Sequence, residues 1–323
     1  MNFRLAAAAV FAAGFLVLGT PANAQSKEKL FKVTLLGTGA PPPIATRASY
    51  SSLIEAGSQK IIIDAGRSSF QHIADTLGPG PKVMGKIGDL DKIFVTHLHS
   101  DHIQGIPDIF TTGFMFGRKG PLQVWGPKGT KAMMGHIEKA YEFDVMVRTN
   151  WGKNRPEAYK QVSMDIEPGF VWKGGGVSVR AFLVDHKEIK PAYGYVVEFD
   201  GRKAVFSGDT IYIPSIIKEA TGADLLVHQV ADVSPKLMKK KPKRFKRIMG
   251  HHTMPDEIAK IVNQAKPRFT VLSHLVLFGV TKKAVLAKIK KDTTEPVIMG
   301  NDLMQITVGK SETKVIKQGI ASK

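Results

Sequence analysis

The stretch Thr96-His97-Leu98-His99-Ser100-Asp101-His102 places three imidazoles and one carboxylate within six residues. Neutral imidazoles and carboxylates are ligands that a borderline divalent cation such as zinc accepts. Burying four such groups in one loop without a cation is costly, because each then needs its own polar partner. We therefore interpret the stretch as a metal-binding loop rather than a solvated polar loop. His97 and His99 can project to one side of the backbone while Asp101 and His102 turn elsewhere, which predicts two adjacent metals.

The first 24 residues have the pattern of a secretory signal peptide. A positively charged start, Met1 to Arg4, precedes an apolar run from Leu5 to Gly19, and Ala22-Asn23-Ala24 is a small-x-small cleavage site. The apolar run is too short for a comfortable membrane span, and no later segment is apolar enough to cross a bilayer. We expect cleavage after Ala24, a periplasmic or secreted protein, and one domain over residues 25–323. An uncleaved anchor is the alternative.

The composition limits the chemistry. The chain has no cysteine, which excludes disulfides, thiolate ligands and a cysteine nucleophile. Its net charge of +18 favours anionic partners: nucleic acid, sulfated or phosphorylated substrates, or an anionic envelope surface. Export argues against intracellular nucleic acid.

Much of the positive charge is concentrated in one basic run. Eight cations fall within twelve residues: Lys236, Lys239, Lys240, Lys241, Lys243, Arg244, Lys246 and Arg247. Such a run is usually a solvated, mobile loop, and the alternative is an anion-attracting role near the site.

The order of predicted elements indicates an α/β protein. Strands come first, and then strands and helices alternate twice over, with Lys92 to Val95 as the strand that delivers the metal loop. Residues 145–176 predict long loops with one or two short strands. This pattern favours two central sheets with helices on both outer faces, but it also fits a doubly wound parallel sheet, so the motifs must decide.

Three further motifs can supply the missing ligands. His186 ends a predicted strand and could complete a three-histidine set with an open fourth position. Asp209 follows another strand through Gly208, and its two carboxylate oxygens could bridge two cations. His274, after an apolar strand, would join the second metal. Taken alone, each residue could be an ordinary packed or surface residue. The metal-binding loop in the same chain favours a role as metal ligand.

A fourth motif, Gly250-His251-His252-Thr253, precedes a predicted helix that starts at Thr253-Met254-Pro255-Asp256. A histidine near a helix N-terminus could donate a proton to a leaving group or hold an anionic oxygen. The alternative is a surface His-His pair.

These residues in this order resemble the metallo-β-lactamase fold superfamily, whose fold is an αββα sandwich. Within it the chain is most similar to the ribonuclease Z-like branch, which includes the zinc-dependent (type III) arylsulfatases. The motifs that carry the resemblance beyond the metal loop are Leu36-Gly37-Thr38-Gly39, Arg47 with Ser51 and Ser52, Ile63-Asp64-Ala65-Gly66, Gly194-Tyr195, Asp224-Leu225-Leu226-Val227-His228 and His251-His252-Thr253.

The resemblance implies a site with two Zn²⁺ ions, with Mn²⁺ or iron as alternatives. It implies that one metal is bound by His97, His99 and His186, the other by Asp101, His102 and His274, with Asp209 bridging them. It further implies that Asp64 supports the ligands and that His251 donates a proton or contacts an oxyanion. We expect His251, Asp101 and Asp209 to take part in catalysis.

The chain also departs from the branch. Ribonuclease Z proper carries a long arm that grips tRNA, but only 22 residues separate His186 from Asp209 here, so we expect no tRNA partner. The branch usually has glutamate where this chain has Gln229, which removes that residue from any proton relay. Class B β-lactamases mostly use a cysteine ligand or replace the bridging aspartate, and this chain does neither.

The resulting prediction is an exported hydrolase that attacks a small anionic sulfate or phosphate ester with a hydroxide shared by two zinc ions, most like an arylsulfatase. The alternatives are a phosphodiesterase of the ribonuclease Z-like branch without the arm, a lactone or β-lactam hydrolase, and a non-catalytic metal- or anion-binding protein. By analogy with the branch we also expect a homodimer.

Overall fold

The computed structural model describes residues 28–77, 87–151 and 156–320, so the signal peptide predicted over residues 1–24 lies outside the described residues. Its strands, in chain order, are β1 (Phe31–Gly37), β2 (Ser51–Ala56), β3 (Gln59–Ala65), β4 (Lys92–Phe94), β5 (Leu122–Gly126), β6 (Gln161–Asp165), β7 (Val171–Gly174), β8 (Val177–His186), β9 (Ile189–Phe199), β10 (Arg202–Phe206), β11 (Leu225–Val233), β12 (Thr270–Phe278), β13 (Val297–Met299), β14 (Met304–Val308) and β15 (Thr313–Lys317).

Helices flank these strands along the chain. The described helices are α1 (Ser69–Leu77), α2 (Ser100–Ile103), α3 (Ile106–Gly113), α4 (Thr130–Ala140), α5 (Glu142–Trp151), α6 (Pro214–Ala220), α7 (Pro235–Lys240), α8 (Pro242–Met249), α9 (Pro255–Ala265) and α10 (Lys282–Lys291), with a 3₁₀ turn over Pro156–Tyr159. Among the helices in these ranges, none is long and apolar enough to cross a bilayer.

The strands form two mixed sheets. The first has the order β15-β14-β1-β2-β3-β4-β5-β6, and the second has the order β13-β12-β11-β10-β9-β8-β7. The sheets face each other and the helices cover their outer faces, which confirms the predicted αββα sandwich and excludes the doubly wound alternative.

Alternation along the strands explains the layers. In β3, Ile61 and Ile63 lie in the core between the sheets, while Ile62 faces the core under the outer helices. In β10, Phe206 faces the inner core and Val205 the helix side. Because successive strand side chains point to opposite faces, a segment buried on both faces is a continuous apolar run, as Ile61 to Ile63 and Ala204 to Phe206 are.

Hydrogen bonds tie the sheets together next to the predicted metal loop. The Tyr195 hydroxyl of β9 donates to the Val95 carbonyl at 2.7 Å, and the Tyr193 amide donates to the Thr96 carbonyl at 2.9 Å. Both contacts run from the second sheet to the segment that leaves β4. These two hydrogen bonds fix the start of the metal loop against the second sheet.

Two predictions about local structure were wrong. The basic run is helical, forming α7 and α8, rather than a loop. Lysine and arginine are good helix formers, and Pro235 and Pro242 occupy the first turns, where proline is favoured. The region 145–176 includes most of α5 in addition to the two predicted short strands, β6 and β7.

Two predicted boundaries also shift. β12 continues to Phe278, so His274 lies inside the strand and not at its end. α9 is capped at Met254, whose amide donates to Glu257 Oε2 at 2.8 Å, and the Thr253 hydroxyl donates instead to the Thr210 carbonyl at 2.9 Å. That contact anchors the start of α9 to the turn that carries Asp209.

Candidate metal centre

Three histidine nitrogens converge on one point at the end of β4. His99 Nδ1 lies 3.0 Å from His97 Nε2 and 3.4 Å from His186 Nε2. Nitrogens bound tetrahedrally to zinc at about 2.0–2.1 Å are separated by about 3.3–3.4 Å. The three rings come from two sheets, because His97 and His99 follow β4 and His186 ends β8. Their spacing fits one divalent ion.

A second group lies beside the first. Asp101 Oδ2 is 3.0 Å from His274 Nε2 and 3.7 Å from His102 Nε2. All three residues are buried, with exposed fractions of 2% or less. One carboxylate and two imidazoles are again a divalent-metal donor set.

Asp209 lies between the two groups. Its Oδ2 is 3.9 Å from His97 Nε2, 3.6 Å from His102 Nε2 and 3.8 Å from His186 Nε2, and its Oδ1 is 3.2 Å from His274 Nδ1. Oδ2 therefore faces members of both groups, and Oδ1 faces His274 of the second group. This is the position that a bridging carboxylate would take.

Unsatisfied polar atoms test whether metals fit here. His102 Nε2, His274 Nδ1 and Asp209 Oδ1 are buried without a hydrogen-bond partner. Buried polar atoms are almost always hydrogen-bonded, so three orphans in one cluster call for a missing partner. All seven predicted ligands lie in clusters whose donor atoms are within 4.8 Å of one another, and they fit a pair of divalent ions.

Two irregularities in the strands create this arrangement. Between β2 and β3 the register passes from Ser51–Ala65 to Ser52–Ile63, which leaves Asp64 unpaired, and between β11 and β12 it passes from Gln229–Ser273 to Val230–Leu275, which leaves His274 unpaired. Both residues have positive φ, 54° and 45°. A bulge with left-handed backbone re-aims a side chain at a cost that functional sites tolerate.

Asp64 holds the metal loop in place. Its Oδ1 accepts the Thr96 amide at 2.7 Å, and its Oδ2 accepts the Thr96 hydroxyl at 2.7 Å and lies 2.8 Å from His102 Nδ1. A carboxylate on Nδ1 fixes the ring orientation and leaves Nε2 free to face a metal. The predicted supporting role of Asp64 matches these contacts.

Burial and mutual charge shift the acid–base properties of the cluster. Burial lowers the pKa of His97 well below its ordinary value, and the neighbouring His102 lowers it further. Burial also disfavours the charge on His102, but Asp209, Asp101 and Asp64 outweigh it and raise its pKa well above the ordinary value. Before metal binds, the protonated His102 compensates the carboxylates, so binding must displace its proton.

The carboxylates stay ionised for the complementary reason. Burial opposes ionisation of Asp101, but His102 and His274 lower its pKa to about 2. Burial likewise opposes ionisation of Asp209, and His274 with His102 holds its pKa well below the ordinary value. Both groups are therefore ready as anionic ligands.

The two neighbouring histidines at the start of α9 have different surroundings. His251 lines the cleft; its Nδ1 lies 2.6 Å from the Arg247 carbonyl and its Nε2 lies 2.6 Å from Glu188 Oε2. His252 is the more buried ring, and its Nδ1 lies 3.2 Å from Gln229 Oε1 and 3.9 Å from Asp209 Oδ2. Burial lowers the pKa of His252 to about 3, so this ring is neutral at neutral pH.

His252 was missed by the sequence reasoning as a member of the cluster, where it groups with His186 and Asp209. Gln229, noted only as a departure from the branch, holds it: Gln229 Nε2 donates to the Thr210 carbonyl at 2.7 Å, which leaves Oε1 to accept from the ring. The pairing of His251 with His252 in sequence gave a signal that one of them faces inward but not which one.

A cleft of about 860 Å³ opens over the cluster. Its walls are the proline segment Pro41–Pro43, Ile189, Val276 and Phe278 and, from α8, Arg244, Arg247 and Ile248. Asp302 fixes the chain on either side of the proline segment, since its Oδ1 accepts the Thr38 amide at 2.9 Å and its Oδ2 the Ala48 amide at 2.6 Å.

Known proteins resemble this chain in sequence and fold. A family model for the β-lactamase superfamily domain matches residues 59–275. Ribonuclease Z of Mycobacterium marinum is 34% identical over 253 residues, which cover 76% of this chain and 87% of the relative. Ribonuclease Z of Mycolicibacterium paratuberculosis is 30% identical over 293 residues, covering 86% and 99%.

Solved structures share the fold. A metallo-β-lactamase fold protein from Bacillus subtilis superposes with a TM-score of 0.65 at 17% identity, covering 86% of this chain and 99% of that protein. The short form of human tRNase Z gives 0.61 at 21% identity, covering 86% and 99%.

These relatives correct part of the sequence prediction. They support the ribonuclease Z-like resemblance but not the arylsulfatase one. Because these relatives are named ribonuclease Z and tRNase Z, they conflict with the expectation that tRNA is not a partner, although the described residues between His186 and Asp209 contain no long arm. The span between His186 and Asp209 is taken up by β9, β10 and their turns.

Proposed function

The chain belongs to the β-lactamase superfamily and, within it, to the ribonuclease Z-like branch of metal-dependent ester hydrolases, and on this premise we propose that it is a dinuclear phosphodiesterase. The observation that carries the proposal is the pair of ligand clusters around Asp209, open to a cleft with two arginines. A phosphodiester brings a negative charge to such a site, whereas a lactone or β-lactam leaves the arginines without a role at the scissile group.

The ligand assignment is part of the proposal. His97, His99 and His186 would hold one ion, Asp101, His102 and His274 the other, and Asp209 would contact both. When bound, such a pair activates water at neutral pH and polarises a phosphoryl oxygen. Zinc suits this nitrogen-rich donor set.

His251 is the proposed proton donor. Its two ring nitrogens face oxygen acceptors, the Arg247 carbonyl and the Glu188 carboxylate, which orient the ring in the cleft. Since the ring lines the cleft, it can pass the Nε2 hydrogen to a departing alkoxide or phenoxide. Glu188 thereby takes up an orienting role that Gln229, bonded to His252, does not fill.

His252 has a different task in this scheme. With Nδ1 donating to Gln229, the neutral ring presents an acceptor nitrogen and cannot supply a proton from it. It is suited to line the ligand cluster beside Asp209. His251→Ala should therefore lower the rate most for poor leaving groups, and His252→Ala should lower metal content.

An arylsulfatase is the second candidate, and the absent arm favours it, because the cleft then admits small aryl esters without a grip on tRNA. The signal-peptide pattern of residues 1–24 is the ground for proposing export, and a homodimer and a single domain over residues 25–323 stay part of the proposal.

A substrate panel tests the proposal. Zinc-loaded protein is assayed with bis-p-nitrophenyl phosphate and p-nitrophenyl sulfate, each with and without a chelator. Chelator-sensitive preference for the diester is the expected result. Preference for the sulfate would favour the arylsulfatase, and no turnover of either ester would reject both.

A further inference from the structure

A second pocket lies behind the proline segment that forms one wall of the cleft. It has a volume of about 720 Å³ and is lined by residues from two stretches, 43–48 before β2 and 67–72 at the start of α1, together with Asp302 and Ile320. We call it the rear pocket. Among the residues that line the rear pocket and the cleft, only Pro43 is shared, so the two spaces lie on opposite sides of the proline segment.

Positively charged side chains dominate the rear pocket. Arg47, Arg67 and His72 line it, and among the described residues Asp302 is the one acidic side chain that does so. The Asp302 carboxylate is already engaged, because its oxygens accept the Thr38 amide, the Thr38 hydroxyl and one further backbone amide. Two guanidinium groups beside a single carboxylate leave a surplus of positive charge, which an anionic ligand would compensate.

Arg67 is held in place with donors to spare. Its Nε donates to the Ser49 hydroxyl at 3.0 Å, and one of its Nη groups donates to the Pro41 carbonyl at 3.0 Å. Both acceptors are neutral, so neither compensates the charge of the guanidinium. A guanidinium has five N–H donors in a rigid fork that matches the oxygens of a phosphate, and about three of them stay available to a ligand here.

His72 adds a polar atom on the same side of the pocket. Its Nδ1 faces the Leu36 carbonyl, which can only accept, so Nδ1 carries a hydrogen and Nε2 is the remaining polar atom of the ring. Nε2 can accept from a protonated phosphate oxygen or, when it carries a hydrogen, donate to an ionised one. Arg67 and His72 therefore offer a phosphate two kinds of contact from one turn of the chain.

The rear pocket is larger than a phosphate ion, and the rest of its wall includes apolar side chains. Ile44 and Ile320 line it and are 45% and 51% exposed. Covering apolar surface of this kind favours binding, so a ligand that joins an organic group to its phosphate would gain from both parts of the wall.

We propose that the rear pocket binds a phosphate monoester. The phosphate joins Arg47 to Arg67 and His72, and the organic group covers the two isoleucines. Because Arg67 holds the Pro41 carbonyl and Arg47 follows the proline segment, a bound phosphate ties both ends of that segment to the start of α1. Occupation of the rear pocket thereby stiffens one wall of the cleft. The ligand cluster takes no part in this binding, so the site exists whether or not the protein hydrolyses diesters.

Calorimetric titration tests the site. Full-length protein is titrated in EDTA, so that no metal-bound phosphate contributes, with phenyl phosphate and with inorganic phosphate. Wild type is compared with Arg67→Gln, with His72→Asn, whose amide can replace Nδ1 as the donor to Leu36, and with the control R244Q/R247Q in the cleft. Each rear-pocket variant should bind phenyl phosphate about 10-fold or more weakly, because it loses a hydrogen bond to a charged group. The control should bind within about 2-fold of wild type, since its residues lie outside the rear pocket.

Hydrogen exchange tests the tie to the proline segment. Saturating phenyl phosphate should slow exchange of the amides in residues 44–48 of wild type and should leave them unchanged in Arg67→Gln. Melting temperatures without ligand show whether that variant folds. If it does not, Arg67→Lys takes its place, because lysine keeps the charge but lacks the fork and should still bind more weakly than wild type.

Four results would overturn the proposal. Wild type without saturable binding, or rear-pocket variants that bind as well as wild type, would reject the site. A loss in R244Q/R247Q equal to that in the rear-pocket variants would place the phosphate in the cleft instead. Inorganic phosphate that binds as tightly as phenyl phosphate would identify free phosphate, and not a monoester, as the ligand. Unchanged exchange in residues 44–48 would reject the tie between the phosphate and the cleft wall.

Discussion

The ligand cluster and the basic helix pair, formed by α7 and α8 (residues 235–249), adjoin one cleft but differ in how their charges are compensated. Asp209 is buried within 4 Å of nitrogens from five histidines: His97, His102, His186, His252 and His274. The helix pair carries eight exposed cations without an ion-pair partner in the described residues. Burial forces every charge of the cluster to be compensated, so each residue there depends on the others. Exposed charges are nearly independent, so they can change selectivity without affecting the fold.

Asp209→Asn should produce the largest change. The amide keeps the shape but removes the charge that faces both ligand groups, so metal content and diester hydrolysis should fall together. The loss should exceed the roughly 10–100-fold expected for a supporting residue. Metal analysis after gel filtration and kcat/KM measure it. A variant with two metals per chain and normal activity would show that the cluster tolerates uncompensated charge.

Asp64→Asn should have the next largest effect. Asparagine tolerates the left-handed backbone at this position, but it cannot accept hydrogen bonds from both Thr96 and His102 with two oxygens. Metal affinity should fall by about 10–100-fold. The control is Asp232→Asn, a buried aspartate paired with Lys288 away from the cluster, which should leave metal affinity unchanged. Equal losses in both would assign the effect to general destabilisation.

Gly208→Ala probes how tightly the cluster is packed. Gly208 has φ of 59°, and a Cβ there would lie 2.4 Å from the Tyr193 carbonyl oxygen, so the turn that carries Asp209 must move. Gly201→Ala is the control, because its φ is also positive, 74°, but a Cβ there meets nothing within 4 Å. Backbone strain alone costs about 1–2 kcal/mol. Chemical denaturation should show a larger loss for Gly208→Ala, with reduced metal content; equal losses would mean that the turn relaxes freely.

Neutralising Lys239 and Lys240 should have the smallest effect. Both are exposed on α7 and lie outside the cleft, so K239Q/K240Q should change the free energy of unfolding by no more than about 0.5 kcal/mol. Hydrolysis of bis-p-nitrophenyl phosphate should match wild type. Loss of metal or of small-ester activity in this variant would show that the charges of the helix pair affect the ligand cluster.

The fold and the types of donor residue could be predicted from the sequence. The backbone irregularities that aim two of the side chains could not. The metal loop and Asp209 follow strands and His186 ends one, and these strand ends meet at one edge of the sandwich, so strand patterns were sufficient to expect these side chains close together. Asp64 and His274 depend on bulges, which arise from pairing between distant strands and have no local signal.

The basic helix pair shows the opposite difficulty. The many charges of this segment obscured its amphipathic pattern, in which Phe245, Ile248 and Met249 follow Pro242 at helical spacing. The different surroundings of His251 and His252 have no local signal either, because they depend on Glu188, in the turn between β8 and β9, and on Gln229 of β11.

The distance along the chain between the ligands bears on how the protein acquires its ions. Asp101 and His274 meet at 3.0 Å although 173 positions separate them, and the two sheets contribute to both groups. The second group of donors therefore cannot assemble until nearly the whole chain has left the ribosome, and the first group cannot assemble until His186 has emerged. Completion of both groups is consequently a late event, so we expect the metal content to depend on the compartment in which the protein finishes folding.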